Sequence, residues 1–534
     1  MPNLASFRAF LIGADSLLLE CAALLLERGH ELGGIITDAP RLRAWAREHG
    51  VRTLPLAGYP EALKAESFDY LFSITHLAMI PEAVLRLPRR AAINFHDGPL
   101  PRYAGLNAPA WALLRGEHEY GISWHLIVPG GGVDEGAVLE QRLFEIAPGE
   151  TSLSLNTRNF AAAIDSFAEL VDKLAAGTES PQAQDLSARS YFGKYLRPEA
   201  GCVLDLQRPA AELLSAVRAL DFGDYDNPLG APKLVHRGLP LVVRRAELRA
   251  ESSAAVGCVS AVSAEALELA TGDGTLLVQA LTDVYGRQLT PLEAAQVWQL
   301  EPGMQLEGLA APLREWLTEQ AVHLARSEEF FLARLRSLEP ATLALAQHAR
   351  SAEPAVALDI PLAHPARVLA VLCAYLARTS GKTEFDLGHQ AAAYPAGLEA
   401  FFAPQLPLRV RVDEGASFEV LARALETELA TLATRGPCAR DLCARHASLR
   451  AYPELRSGAL ADVALIRQRE LPPGVALALA IDEGGNLQLL CDPARLPERA
   501  RHSLRAQLVQ LMAAAEAEPW RPIGEHSLLP LEER

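Results

Sequence analysis

The N-terminal part of the chain alternates continuous apolar segments with amphipathic ones, and this alternation restricts the fold more than any other feature. Segments typical of buried strands begin at Arg8 (RAFLIG), Leu32 (LGGIITD), Asp69 (DYLFSIT) and Arg90 (RAAINFH). Between them lie segments typical of helices, namely SLLLECAALLLERG, PRLRAWAREHG and PEAVLRLP. The pattern predicts an α/β unit with a parallel sheet and helices on both faces. Ligands of such sheets bind beyond the carboxyl ends of strands, where SITHLAM and NFHDG lie.

Composition indicates a folded protein of several domains and argues against nucleic acid as the main partner. A chain of 534 residues is too long to fold around a single hydrophobic core, and a typical size of about 150 residues per domain predicts three or four units. Half of the residues are apolar and 22% are charged, which is typical of folded chains. The net charge is −16 and no block is rich in Lys or Arg. Phosphate binding draws on clustered cations, so a nucleic-acid partner is not expected.

The N-terminus and the cysteines predict a cytoplasmic protein without a membrane partner. Charged residues and a glycine interrupt the first apolar stretch, which fits a strand and an amphipathic helix better than a signal peptide or a membrane span. The seven cysteines are odd in number and form no CxxC pair. They are typical of reduced cytosolic thiols rather than a disulfide framework or a zinc site, so no metal is expected.

Beyond the first unit, which closes near residue 180, the pattern changes twice. The polar segment TESPQAQDLSARS, residues 178–190, is typical of a linker. Short strand-like segments between about 190 and 305 predict a small β-barrel. A passage rich in Ala, Leu and Glu then predicts helix from residue 311, and a third unit of mixed helices and strands follows to Arg534.

Two polar residues at the end of one predicted strand are the first candidates for chemistry. Asn94 and His96 stand two apart, so on a strand both side chains project to the same face. They either converge on a ligand or cap the strand and bond the loop backbone, and spacing alone leaves both interpretations open.

A second polar segment carries Asp134, which follows three glycines in GGGVDEGA. These glycines permit a close approach to a ligand, although a plain turn needs the same residues. A carboxylate near His96 favours the charged imidazolium, which suits a group that carries a proton. His125, inside an apolar strand, is interpreted more readily as a satisfied core residue than as part of a pocket.

The run INFHDGPLPRYAGLNAPAWALLRGEHEYGISWHLI, followed by GGVDEGAVL, resembles the folate-dependent formyltransferases. This family includes methionyl-tRNA formyltransferase and glycinamide ribonucleotide transformylase, and the resemblance spans roughly residues 7 to 305. It implies a catalytic triad of Asn94, His96 and Asp134. Asn94 then stabilises an oxyanion on the formyl group, while His96 and Asp134 move the proton between the amine and the folate nitrogen.

The resemblance also implies where N10-formyltetrahydrofolate, the co-substrate, binds. Its pterin is expected between the loop THLAMIP and the loop PGGG. The expected lining is His76, Leu77 and Met79 on the first loop, and Gly130, Gly131 and Gly132 on the second. For each of these residues ordinary loop packing remains an alternative.

Departures from the tRNA-modifying members point to a different acceptor. The chain has Asp97 after the histidine and YAG at Tyr103–Gly105. The form HDGPLPRYAGLNAPAW with GISWH is similar to the formyltransferase domains of non-ribosomal peptide synthetases. Residues 195–235 and the strands after them resemble the OB-like C-terminal domain of the family.

The third unit is similar to the second half of a peptide-synthetase condensation domain, the chloramphenicol-acetyltransferase-like subdomain with an α/β fold. PARVLAVLCAYLARTSGKTEFDLGHQ, LPLRV and the closing PWRPIGEHSLLPLEER carry this resemblance, whereas the condensation signature HHxxxDG is absent from the sequence. The expected division is therefore a catalytic domain at 1–185, an OB-like domain at 186–305, a helical linker at 306–329 and a partial condensation domain at 330–534.

The resemblances imply formylation of the α-amino group of an aminoacyl thioester. The expected partners are an aminoacyl-loaded carrier protein and a downstream adenylation domain. One alternative acceptor is a free amine, such as a hydroxyornithine or an amino sugar. The other alternative is a docking scaffold without catalysis, against which the three matching residues argue.

Overall fold

The computed structural model describes residues 5–251, 254–347, 354–360, 364–390, 394–482 and 484–528. The end of the segment PWRPIGEHSLLPLEER, residues 529–534, lies outside these ranges. Three large sheets define an N-terminal, a middle and a C-terminal unit. Within the described ranges, no helix combines the length and the apolar character that a membrane crossing needs.

The N-terminal unit is an α/β layer structure. Its strands are β1 (Arg8–Ile12), β2 (Glu31–Ile36), β3 (Thr53–Leu54), β4 (Tyr70–Ser73), β5 (Ala91–His96), β6 (Ala104–Gly105), β7 (Glu119–Leu126) and β8 (Val138–Glu145). Its helices are α1 (Ser16–Glu27), α2 (Pro40–Glu48), α3 (Tyr59–Lys64), α4 (Glu82–Leu85), α5 (Ala108–Leu114) and α6 (Ser152–Ala176). Helices α1, α2 and α6 pack on one face of the sheet, and α3 and α4 pack on the other.

The main sheet has the order β3-β2-β1-β4-β5-β7-β8. Its first five strands are parallel, which confirms the predicted α/β sheet with helices. Strand β7 pairs antiparallel with both β5 and β8, so this edge departs from the expected parallel arrangement. Strand β8 was missed in the sequence because its half-exposed alternation follows directly on a glycine-rich turn.

The middle unit is built on an antiparallel sheet. It contains β9 (Tyr191–Phe192), α7 (Ala210–Ala219), β10 (Lys233–His236), β11 (Leu239–Arg249), β12 (Val259–Val262), β13 (Leu267–Ala270), β14 (Thr275–Thr282), β15 (Gln288–Leu289) and α8 (Pro291–Trp298). The sheet order is β10-β11-β14-β13-β12, β15 joins β14, and β9 pairs with β6 of the N-terminal unit. The predicted short strands are present, but no pairing of β10 with β12 closes a barrel among the described residues.

The C-terminal unit is a six-stranded mixed sheet with helices. Its elements are α9 (Ala311–Arg336), β16 (Val356–Leu358), α10 (Pro365–Ser380), β17 (Glu384–Gln390), β18 (Gln405–Arg411), α11 (Phe418–Arg435), α12 (Leu442–Arg445), α13 (Glu454–Ser457), β19 (Val463–Ile466), β20 (Leu477–Ile481), β21 (Leu487–Cys491) and α14 (Glu498–Ala517). The order is β16-β21-β20-β19-β17-β18. Helix α9 continues past residue 329, so the expected boundary at 329/330 falls inside one helix.

A buried ionic network joins the middle and C-terminal units. Asp441 accepts from Lys233 Nζ at 2.6 Å and from Arg445 Nε at 3.1 Å, and these three side chains are at most 6% exposed. Arg445 also pairs with Glu328 of α9 at 2.5 Å and donates to the carbonyl of Asn227. Burial alone raises the pKa of Asp441, but Arg445 and Lys233 outweigh it and hold that pKa well below its usual range. The ion pair of Lys233 with Asp441 therefore links the middle unit to the charged cluster of the C-terminal unit.

Replacing Asp441 by Asn is expected to lower the free energy of unfolding by about 3–5 kcal/mol, because two buried cations lose their carboxylate. Urea unfolding at neutral pH, followed by circular dichroism, measures the change. Asp224→Asn is the control, since Asp224 is 95% exposed and lies 3.7 Å from Arg450. Equal unfolding curves for the two variants would contradict the expectation.

Candidate active site

Four polar side chains meet where β5 pairs with β7, and we call them the polar cluster: Asn94, His96, His125 and Asp134. Asn94 and His96 share one face of β5, and the antiparallel register sets His125 directly opposite Asn94. Asn94 Nδ2 lies 3.2 Å from His125 Nε2. Asp134, on the loop between β7 and β8, lies 3.6 Å from Nδ1 of His96 and 3.4 Å from Nε2 of His125. The structure thus brings the three predicted residues together and adds a fourth.

The ring of His96 is oriented by one backbone carbonyl. Its Nε2 lies 2.8 Å from the carbonyl oxygen of Tyr103. A carbonyl only accepts hydrogen bonds, so Nε2 carries the hydrogen and donates it. Nδ1 is then left facing the carboxylates of Asp134 and Asp97, the latter at 3.9 Å. Since the side chain is 5% exposed, Nδ1 is the nitrogen of this ring that is placed to exchange a proton inside the site.

Asp134 is a buried carboxylate in an uncommon backbone conformation. Its φ of 56° lies in the left-handed region, which Asp tolerates better than most residues. The amide of Gly105 donates to its Oδ2 at 2.9 Å, and the side chain is 11% exposed. Burial raises the pKa of Asp134, but His96, His125 and the Gly105 amide together outweigh burial, so the pKa lies well below the usual range. The group is therefore ionised at neutral pH.

His125 is a functional candidate that sequence reasoning placed in the core. Its ring is buried, with 3% of the side chain exposed, yet it is not surrounded only by apolar groups. Its Nδ1 donates to the carbonyl of Leu126 at 3.0 Å, so Nε2 is the ring nitrogen that faces both Asn94 and Asp134. The missed signal is the spacing of Ser123 and His125, which repeats the i, i+2 pattern of β5 and places polar groups on one face of β7.

The residues predicted to line a folate pocket lie on two neighbouring segments. His76, Leu77 and Met79 follow β4, and burial lowers the pKa of His76. Leu77 and Met79 are 77% and 76% exposed. The second segment, which contains Gly130–Gly132, follows β7, and both segments contribute to one apolar cluster through Ile80 and Ile127. Among the described residues no hydrogen bond joins the predicted lining to the polar cluster.

Comparisons with known proteins show which family the N-terminal half of the chain resembles. The family model described as "Formyl transferase" matches residues 52–169. The methionyl-tRNA formyltransferase of Myxococcus xanthus (strain DK1622) is 30% identical over 51% of this chain and 85% of its own length. That of Geobacter sulfurreducens is 27% identical over 57% of this chain and 98% of its own length. The matched regions thus leave close to half of the present chain without a counterpart.

Among solved structures, the N-formyltransferase from Helicobacter canadensis, in complex with folinic acid and dTDP-3-aminofucose, is similar at 17% identity. The alignment covers 51% of this chain and 98% of that chain, with a TM-score of 0.43.

An amide donor, an oriented imidazole and an ionised carboxylate in one cluster are groups that many enzymes use for proton transfer and oxyanion stabilisation. The particular family follows from the comparisons. Since 30% identity extends over 85% of a curated relative, the chain belongs to the formyl transferase family and is a formyltransferase.

Asp134→Asn is expected to lower the free energy of unfolding at pH 7 by about 1–3 kcal/mol, because charge-assisted contacts are lost. Asn also tolerates a positive φ, so the backbone stays in place. The folded pKa of Asp134 lies below the unfolded value of about 3.9. Its stabilisation is therefore present above about pH 4 and is lost as the pH falls through the folded pKa.

Urea unfolding of both proteins between pH 7 and pH 3 measures this difference. The difference in the free energy of unfolding between the two proteins should decrease only at the acidic end of this range. A difference in the free energy of unfolding that stays constant over the whole range would show that the charge of Asp134 does not stabilise the loop.

Proposed function

We propose that the protein transfers the formyl group of N10-formyltetrahydrofolate to the α-amino group of an aminoacyl thioester on a carrier protein, at the start of non-ribosomal peptide synthesis. The enzyme is a folate-dependent N-formyltransferase. The observation that carries the proposed mechanism is the polar cluster, in which Nδ1 of His96 faces the ionised Asp134 beside the amide of Asn94.

Asn94 has the role of oxyanion donor. The folate co-substrate supplies an electrophilic formyl carbon, and attack by the amine places negative charge on the formyl oxygen. The amide of Asn94 carries two hydrogens, and its contact with Nε2 of His125 occupies at most one of them. The second is available to the formyl oxygen. Such a donor stabilises the transition state more than the ground state because the charge develops only during the reaction.

His96 and Asp134 have the role of moving the proton. Nδ1 of His96 accepts the proton that the amine releases as the new C–N bond forms. The charged ring is stabilised by the carboxylate of Asp134 at 3.6 Å and stays oriented by the Tyr103 carbonyl. The same proton then goes to N10 as the bond between N10 and the formyl carbon breaks. The products are a formamide and tetrahydrofolate, so atoms and protons balance.

The proposed donor site has the chemistry that a pterin requires. A pterin is a flat ring with apolar faces and a polar edge. Leu77, Met79 and Val128 are apolar and more than half exposed, so they offer surface for the ring faces. The glycines at 130–132 have no side chains of their own to cover the backbone, so their N–H and C=O groups are candidates to meet the polar edge.

Charge supports an amine that is not carried by nucleic acid. The chain has a net charge of −16, which disfavours a polyphosphate backbone. Asp97 lies beside Asp134 at the ring of His96, so this part of the site holds acidic side chains rather than the cations that would bind phosphates.

The C-terminal unit has, in this proposal, the role of a rigid support. We interpret residues 330–534 as a half condensation domain that lacks HHxxxDG, after an OB-like domain at 186–305. The buried network of Asp441 and Arg445 supports a fixed arrangement of the units. A support of this kind holds the catalytic domain at 1–185 in a constant orientation toward a downstream adenylation domain.

The acceptor is tested by incubating the protein and N10-formyltetrahydrofolate with four acceptor classes. These are aminoacyl-loaded carrier proteins, free amino acids including hydroxyornithine, nucleotide-linked amino sugars, and methionyl-tRNA. Mass spectrometry detects the addition of one formyl group. We expect formylation of loaded carriers with little reaction of the free amino acids. Product with free amines alone, or with tRNA alone, would show that this compound and not a loaded carrier is the acceptor. No product with any acceptor would favour the alternative of a docking scaffold without catalysis.

Asn94→Ala is expected to lower kcat by about 10²–10³-fold, which corresponds to about 3 kcal/mol of lost oxyanion stabilisation. His96→Ala is expected to lose at least as much. Single-turnover assays with excess enzyme measure the chemical step. His49→Ala is the matched control, because His49 is an exposed histidine far from the polar cluster in sequence, and its ring bonds to and stacks on Trp45 of helix α2. Unchanged turnover in His96→Ala would contradict the catalytic role of His96.

A further inference from the structure

The polar segment between α6 and the middle unit does not behave as a linker. We call residues 182–192 the connector. Its first residue, Gln182, exchanges two backbone hydrogen bonds of 2.8 Å with Val138 at the start of β8. Its last two residues form β9, which pairs with β6. The connector is therefore held at both ends against the N-terminal unit.

On one side the connector holds the loop that carries Asp134. Gln184 Nε2 donates to the carbonyl of Asp134 at 2.7 Å and to that of Gly136 at 2.6 Å. Arg189 donates through Nη2 to the carbonyl of Val133 at 2.9 Å. Two side chains thus fix three carbonyls of a loop whose central residue has a φ of 56°. A non-glycine residue stays in that region only where its surroundings hold it.

On the other side the connector holds the segment that orients His96. Ser190 Oγ accepts from the amide of Tyr103 at 2.8 Å, and the Ser190 carbonyl accepts from Ala104 at 2.9 Å. The Tyr103 carbonyl is the group that orients His96, and the amide of Gly105 binds the carboxylate of Asp134. The contact is close, because a Cβ on Gly105 would lie 2.1 Å from the carbonyl oxygen of Phe192.

We propose that the connector is a positioning element of the active site, and that Gln184 is its main positioning residue. The proposal rests on the proposed function, since it takes Asp134 and His96 as the proton-moving pair. Gln184 is half-buried while its neighbours on both sides are exposed, and its Oε1 has no partner among the described residues. Its bonds are the two to the Asp134 loop. Without them the loop relaxes and the carboxylate moves away from Nδ1 of His96.

Gln184→Ala is expected to lower kcat by about tenfold to a hundredfold, since a misplacement of about 1 Å costs up to 10²-fold. The KM for the formyl donor should stay close to wild type. Gln184→Glu keeps the size but turns two donor contacts into repulsion between oxygens, so it is expected to lose at least as much. Gln182→Ala is the matched control, because within the described ranges the side chain of Gln182 bonds to Ser180 alone and its backbone pairing is retained.

Hydrogen exchange gives a readout that does not depend on turnover. The amide of Gly105 is protected by Asp134, so it should exchange faster in Gln184→Ala than in Gln182→Ala. If the wild-type protein formylates no acceptor, the proposed function fails. The exchange rates still test whether the connector holds the Asp134 loop. Equal kcat and equal Gly105 exchange in the two glutamine variants would overturn the proposal.

A second variant covers the case in which Gln184→Ala does not fold. Ser190→Ala removes only the acceptor of the Tyr103 amide, on the His96 side of the connector. It is expected to lower kcat by about tenfold with an unchanged KM for the formyl donor. Wild-type kcat in Ser190→Ala would also count against a positioning role.

Discussion

The antiparallel pairing of β5 with β7 is the constraint on which the site depends. In this register Asn94 lies opposite His125, and the loop after β7 returns Asp134 to both histidines. A slip of one residue would turn the polar side chains of one strand to the opposite face. The buried Phe95 and Trp124, which alternate with the polar residues and pack against each other, make such a slip unfavourable. The apolar packing on one face thus fixes the chemistry on the other.

Burial strengthens the electrostatic interactions within the polar cluster, and it also removes the water that would solvate the charges. An ionised carboxylate that is 11% exposed is stable only if charges and donors replace the lost water. Asp134 obtains them from two histidines and one backbone amide, on three separate segments of the chain. One of these segments is itself held by the connector. The electrostatics of the cluster therefore depend on residues that lie outside its own sheet.

Sequence reasoning predicted the strand that carries Asn94 and His96 and the shared face of their side chains, because both follow from local periodicity. It did not predict the direction of β7, because periodicity is the same for parallel and antiparallel pairing. His125 is interpreted from sequence as a core residue because it lies inside an apolar strand. The polar segment around Gln184 was interpreted as a linker because its bonds go to backbone carbonyls distant in sequence, which leave no trace in composition. Tertiary contacts decided each of these cases.

The ionic network between the units favours one orientation rather than high stability. Apolar side chains in place of Lys233, Asp441 and Arg445 would often stabilise a protein as well or better, since desolvating charges is costly. Apolar surfaces can slide, however, whereas buried charges are satisfied in one arrangement only. The connector likewise uses polar contacts, which have a defined geometry, to hold two loops of the site. The network thus ties the middle unit to the C-terminal unit, and the connector ties the loop of Asp134 to the segment that orients His96.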